Sequence, residues 1–121
     1  MAKRKTETEK LHKLVVDAIL EKKGRDIISL DLRKIPDTPS RFFIITHGDS
    51  STQVRAIFMS VLELTKAKGF LPYRTESSKS AEWVIIDYVD ITVHIFYKEK
   101  RAFYDLEELW QDAKATKYFE A

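Results

Sequence analysis

The sequence predicts a mixed α/β fold: one domain in which a roughly five-stranded mixed β-sheet is flanked by helices, in the order α-β-β-α-β-β-β-α. Three observations predict it. Two segments, about 7–23 and 50–69, carry apolar residues at helical spacing. Several shorter runs are rich in β-branched and aromatic residues, with period two or none. The two kinds alternate irregularly, which argues against a simple doubly wound repeat. At 121 residues the chain has the size of a single core.

Leu11, Leu14, Val15, Ala18 and Ile19 form one stripe of the first helix, which Gly24 stops. From Asp26 to Leu32, Ile28, Leu30 and Leu32 alternate with Ser29 and Asp31 as in a half-buried strand, and Pro36-Asp37-Thr38-Pro39 makes the turn. The run Phe42-Phe43-Ile44-Ile45 predicts a strand buried on both faces at the sheet's centre, ended by Gly48. Ser50 and Gln53 have capping-box spacing and open a second helix, with Val54, Ile57, Phe58, Val61 and Leu62 as its stripe and Gly69 as its end. Phe70 to Thr75 reads as a short strand, pushed to an edge by Pro72 because proline cannot donate to a ladder. Trp83 to Tyr88 and Ile91 to Tyr97 are strands separated only by Val89 and Asp90, hence a tight antiparallel hairpin. After the charged stretch 98–101, Leu106, Leu109, Trp110 and Ala113 recur at helical spacing and close the chain with a short helix. Residues 1–6 and 114–121 are expected to be flexible tails around a core of about 11–113.

Composition narrows the function classes. Hydrophobic residues at 44% and charged residues at 33% suit a soluble globular domain. The chain has no cysteine, so disulfides, thiolate catalysis and Cys-type zinc sites are excluded. Uninterrupted apolar runs reach only four residues, far below the roughly 20 that cross a bilayer. The basic start MAKRKTETEK has no apolar stretch behind its charges and predicts no secretory signal, so a cytoplasmic location is expected. A net charge of +2 supplies no broad footprint for nucleic acid, and Lys3, Arg4 and Lys5 read as a solvated tail. No direct sequence-specific nucleic-acid binding is expected. His12, His47 and His94 lie far apart without a partner at metal-ligand spacing, so neither metal nor cofactor is expected.

The hairpin carries the candidate site. With Val89 and Asp90 as the loop, Tyr88 pairs with Ile91, Ile86 with Val93 and Val84 with Ile95, an apolar face. The opposite face sets Asp87 across from Thr92, Ile85 across from His94, and Trp83 across from Phe96. Such an aromatic and polar surface suits a protein partner, and it equally suits a sheet covered by helices on both sides. A slip of one residue would exchange the two faces, and β-branched Val89 is a poor residue for a primed turn.

Two weaker sketches point to enzyme chemistry. Asp87 and Asp90 flank the turn, and paired carboxylates can hold Mg²⁺ for nucleotidyl or phosphoryl transfer. Gly48-Asp49-Ser50-Ser51 precedes a helix N-terminus, where backbone N–H groups attract phosphate. The structural readings are turn-capping aspartates and an ordinary helix cap.

The run Ser80-Ala81-Glu82-Trp83-Val84-Ile85-Ile86-Asp87-Tyr88-Val89-Asp90-Ile91-Thr92-Val93-His94-Ile95-Phe96 resembles the hallmark segment of the Iojap family, the ribosome-silencing factors. The likeness continues through Glu99, Arg101, Phe103-Tyr104, Leu106-Glu107 and Leu109-Trp110. It also includes Asp26-Ile27-Ile28 with Leu30-Asp31, and Gly48 with Ser50-Ser51, Val54 and Ala56-Ile57. It implies a nucleotidyltransferase-like fold without established catalysis. It also implies a non-enzymatic function: docking on the large ribosomal subunit through its fourteenth protein, so that the small subunit cannot join and translation is repressed under nutrient limitation. Trp83, Tyr88, Asp90, His94 and Phe96 are the contact residues it suggests, and a homodimer is a further implied partner. The alternative is a relic of a metal-dependent transferase using Asp87 and Asp90. The chain departs from the family pattern at Val89 and Ser77, where glycine is usual, and at Ser40-Arg41, where Thr-Asp is usual.

Overall fold

The structure, a computed structural model, describes residues 2–119, with side chains from Thr6 onward. The basic side chains expected to form a tail, and residues 1, 120 and 121, lie outside the described residues. The elements are α1 (Ala2–Glu21), β1 (Arg25–Asp31), β2 (Phe42–Gly48), α2 (Ser51–Ala67), β3 (Arg74–Ser77), β4 (Trp83–Asp87), β5 (Ile91–Tyr97), α3 (Lys98–Tyr104), α4 (Leu106–Leu109) and β6 (Lys114–Tyr118). They build one six-stranded sheet in the order β3-β4-β5-β2-β1-β6. Its central pair, β2 and β5, is parallel, and the other pairings are antiparallel.

Each face of the sheet has its own core. On one, α1 and α2 cover Ile27, Ile44, Val84, Ile86, Val93 and Ile95, contributing Val15, Ile19, Val54, Ile57 and Val61. Burial of these aliphatic side chains is the main stabilising term, at roughly 1.5–3 kcal/mol for each one fully buried. Ser60 Oγ donates to the Ala18 carbonyl at 3.0 Å and ties the two helices together. On the other face, Ile28, Leu30, Phe43, Ile45 and Phe96 meet Leu32, Ile35, Leu106 and Trp110.

Helix ends follow local chemistry. Ser50 accepts from the Gln53 amide at 3.1 Å, the expected cap of α2. The Gln53 side chain reaches further: its Nε2 donates to the Lys23 carbonyl at 2.9 Å, so one residue starts α2 and closes α1. α1 already ends at Glu21, because Lys23 takes the left-handed conformation (φ 60°). Gly24 is needed for a different reason, since a Cβ there would lie 2.3 Å from Ile19 Cγ2.

Four expectations need correction. α1 begins at Ala2, so residues 2–6 continue the helix. β3 starts at Arg74 instead of Phe70: Pro72 has no N–H, and the first bond to β4 comes from Tyr73 N–H to the Asp87 carbonyl at 2.7 Å. The closing helix, α4, ends at Leu109 short of Ala113, and the charged stretch before it forms a helix of its own, α3; Asp105 separates them, its left-handed backbone (φ 43°) ending α3 while its carboxylate caps α4. The largest correction is at the C-terminus, where 114–118 is strand β6, paired from Lys114↔Asp31 to Tyr118↔Ile27, in place of the expected flexible tail. β1 otherwise presents an open edge, and β6 satisfies its N–H and C=O groups.

Candidate docking site

The register of β4 and β5 places the site. Trp83 pairs with Phe96, Ile85 with His94 and Asp87 with Thr92, so these side chains project from the face opposite α1 and α2. The Trp83 indole N–H donates to His94 Nδ1 at 3.1 Å. Its ring stacks on Phe96 (centroids 5.0 Å, 29° apart) and lies 4.5 Å from Tyr104. Phe43 meets His94 edge-on at 4.6 Å and Trp110 at 5.9 Å. The aromatic side chains thus run continuously from the sheet to Tyr104 of α3 and to Trp110 at the end of α4.

Most of this cluster is interior. Phe96 is fully buried and His94 nearly so. Burial pushes the His94 pKa down to about 4, with Asp87 opposing weakly, so the ring is neutral at pH 7. Because Nδ1 accepts from Trp83, the proton sits on Nε2, which is buried without a hydrogen-bond partner. Such a donor is costly to leave unmade, and it makes His94 a strained support for the indole.

The outer rim is what a partner can reach. Trp83 and Ile85 are half-exposed, Tyr104 more so, and Phe103 and Leu109 are 74% and 69% exposed. A cleft of about 400 Å³ opens beside Trp83, lined by Glu76, Ser77, Glu82, Ile85 and Tyr104. Lys100 lies 3.8 Å from Glu82, and Arg74 pairs with Glu76 and Asp87. An apolar patch with an adjoining cleft and a charged rim has the anatomy of a protein-docking surface.

Of the five residues proposed from sequence, Trp83, His94 and Phe96 come together here. Tyr88 lies on the other face, buried against α2, its hydroxyl 2.7 Å from Thr65 Oγ1. Asp90 lies at the turn and accepts from Thr8 of α1 at 3.2 Å. Phe103, Tyr104 and Leu109 were not singled out as contacts. The signal was an aromatic pair following a charged helical turn, outside the apolar stripe that anchors the chain's end.

The aspartates of the enzyme sketch have structural partners. Asp87 accepts from the Val89 amide at 2.7 Å and from Arg74 at 3.3 Å, while Asp90 binds α1. Asp49 of the phosphate-loop sketch pairs with Arg25 at 3.1 Å. Among the described residues, no group of three or more His, Asp or Glu could hold a metal ion, and no helix is long and apolar enough to cross a membrane.

Comparison with known proteins places this architecture. A family profile described as "Ribosomal silencing factor during starvation" matches residues 5–120. The chain is 38% identical over 105 residues to "Ribosomal silencing factor RsfS" of Halalkalibacterium halodurans, covering 87% of this chain and 89% of the relative. It is 36% identical over 101 residues to the protein of that name from Bacillus subtilis, covering 84% and 85%. To "Protein Iojap, chloroplastic" of Zea mays it is 35% identical over 96 residues, covering 79% of this chain and 41% of that longer protein. A crystal structure of a Chromobacterium violaceum protein superposes with a TM-score of 0.81 at 34% identity, covering 93% of this chain and 94% of that one. Profile, relatives and fold agree over nearly the whole length, and the chain belongs to the ribosomal silencing factor family.

Proposed function

We propose that this protein silences ribosomes by binding the large subunit through that subunit's fourteenth protein, in the cytoplasm, and standing where the small subunit must dock. Steric exclusion of this kind makes and breaks no bond. It requires a rigid body and an affinity sufficient to compete with subunit joining. The names of the relatives support the ribosomal target, and the family description supports the link to starvation. The observation that carries the docking role is the half-exposed Trp83 beside its cleft, continuous with exposed Tyr104 and Phe103. A large aromatic ring held by a hydrogen bond loses little side-chain entropy on binding, which favours it as an interface anchor.

In this reading Trp83 touches the partner, His94 and Phe96 orient it from below, and Tyr88 and Asp90 hold the hairpin against α2 and α1. The test is sedimentation of the purified protein with isolated large subunits, followed by addition of small subunits. Cosedimentation together with a reduced yield of joined ribosomes is expected. A protein that stays at the top of the gradient, or that sediments without affecting joining, overturns the proposal.

A further inference from the structure

We infer that the groove between α1 and the β1–β6 side of the sheet binds a nucleoside monophosphate, a planar heterocycle carrying one phosphate. α1 packs mainly on α2 and β5, and its residues from Thr8 to Leu20 border a groove whose other wall is Arg33, Arg41, Phe42 and Tyr118. The groove has a volume of about 510 Å³, and His12, Arg33, Arg41, Phe42 and Tyr118 are among its lining residues. That volume is within the usual range of small-ligand sites, roughly 300–1,000 Å³.

The groove is held open by the fold. Thr8 Oγ1 donates to Asp90 at 3.2 Å, and His12 Nε2 lies 2.7 Å from Ser29 Oγ, so α1 is pinned to the hairpin turn and to β1. Three rings share the space: His12 lies 5.4 Å from Phe42 at 75° and 5.9 Å from Tyr118 at 50°. Rings presented at different angles give a base both a stacking surface and an edge contact. Burial lowers the His12 pKa against a weaker opposing pull from Asp31, so this ring acts as a neutral wall at pH 7.

The charges indicate how much anion the groove accepts. Arg33 is committed: it forms two bonds to Asp31, at 2.7 and 2.9 Å, and stacks 4.9 Å over Phe42. Lys13 is paired with Asp17 at 3.0 Å. Arg41 has no side-chain hydrogen bond or ion pair among the described residues, while its backbone N–H is held by the Asp90 carbonyl at 3.0 Å. Among the described residues this is one uncommitted guanidinium, which matches one phosphate. A triphosphate would need more cations than the described residues offer, and Glu9 and Asp17 on the wall would repel it.

The experiment is a ¹H–¹⁵N titration of the full chain with AMP and GMP in EDTA, with adenosine and inorganic phosphate as separate arms. Saturable shifts at the amides of His12, Arg33, Arg41, Phe42 and Tyr118 are expected for at least one nucleotide, with a dissociation constant of about 1 mM or tighter. Arg41→Glu and Tyr118→Ala should each weaken binding about tenfold or more, while Arg55→Glu, on the exposed side of α2, should not change it. No shifts from either nucleotide, shifts centred elsewhere, equal binding of adenosine or phosphate alone, or unchanged binding by folded Arg41→Glu would each overturn the inference. Ribosome binding does not enter this readout, so the two proposals stand or fall separately.

Discussion

Trp83 donates its indole proton to Nδ1 of His94 across the β4–β5 pair, at 3.1 Å, which determines the tautomer of one residue and the orientation of the other. The same bond leaves His94 Nε2 as a buried, unpartnered donor. A side chain held neutral and under-satisfied has a measurable signature in pH.

The His94 pKa is lowered from 6.5 to about 4 in the folded state, so the unfolded chain binds a proton in that window that the folded chain does not. Stability is therefore full above pH 6.5 and declines as pH falls toward 4, by about 3 kcal/mol from this residue. His12 and His47 are also shifted down, chiefly by burial, and act in the same direction. Urea unfolding at pH 7.5, 6 and 5 should show the decline, and His94→Asn, which keeps an acceptor for Trp83, should reduce it to the part that His12 and His47 contribute. An unchanged slope in that variant would mean that His94 is not the residue responsible.

Trp83→Ala should abolish cosedimentation with large subunits while the protein remains folded by circular dichroism. Loss of an interface anchor typically costs about 2 kcal/mol or more, roughly 30-fold in affinity. Trp83→Phe keeps a ring against Phe96 but removes the donor to His94, and is expected to bind with intermediate affinity. If folded Trp83→Ala still sediments normally, the docking surface lies elsewhere.

The hairpin was legible because alternation over Val84, Ile86, Val93 and Ile95 left one register that buried the aliphatic set, and the observed pairs are those. The parallel pairing of β2 with β5 was not legible, since it depends on a crossover through α2 and β4 that no local pattern encodes. β6 was hidden for a chemical reason. Lys-Ala-Thr-Lys-Tyr reads as a solvated tail because an edge strand facing water is kept polar and lysine-rich to prevent further pairing. At the candidate site, sequence gave the aromatic face but not its depth: α3 and α4 fold over Phe96 and His94 and leave only the Trp83 rim open.

Deleting residues 114–121 should therefore destabilise the protein instead of trimming a tail. Five residue pairs between β1 and β6 are lost, and the β1 edge is laid open. The expected cost is about 2–4 kcal/mol in urea unfolding, accompanied by self-association on gel filtration as the exposed edge finds partners. A truncated protein with the full-length midpoint would show that β6 contributes nothing to the fold.

Val89→Gly should stabilise the protein. Val89 has φ +75°, and the Asp90 amide bonds back to the Tyr88 carbonyl at 3.0 Å, so the valine is the centre of a γ-turn of the rare, strained hand. Left-handed backbone costs an L-residue roughly 1–2 kcal/mol, and more with a β-branched side chain. Glycine removes that strain and adds about 0.5–1 kcal/mol of unfolded-state entropy. Val89 is 55% exposed, so little packing is lost, and a net gain of about 1 kcal/mol is expected. A lower urea midpoint for the variant would contradict this account of the turn.

Tyr88→Phe separates the hairpin's two faces. The Tyr88 hydroxyl is buried against Thr65, and desolvation raises its pKa against the opposing hydrogen bond. Removing it strands no partner, because Thr65 Oγ1 still donates to the Val61 carbonyl at 2.8 Å. The loss should be about 1 kcal/mol, read as a lower urea midpoint. Ribosome binding should be unchanged, since Tyr88 projects toward α2 and Trp83 projects away from it. If Tyr88→Phe weakened cosedimentation as much as Trp83→Ala, the partner would have to approach from the helical face, and the docking site would need to move to the other side of the sheet.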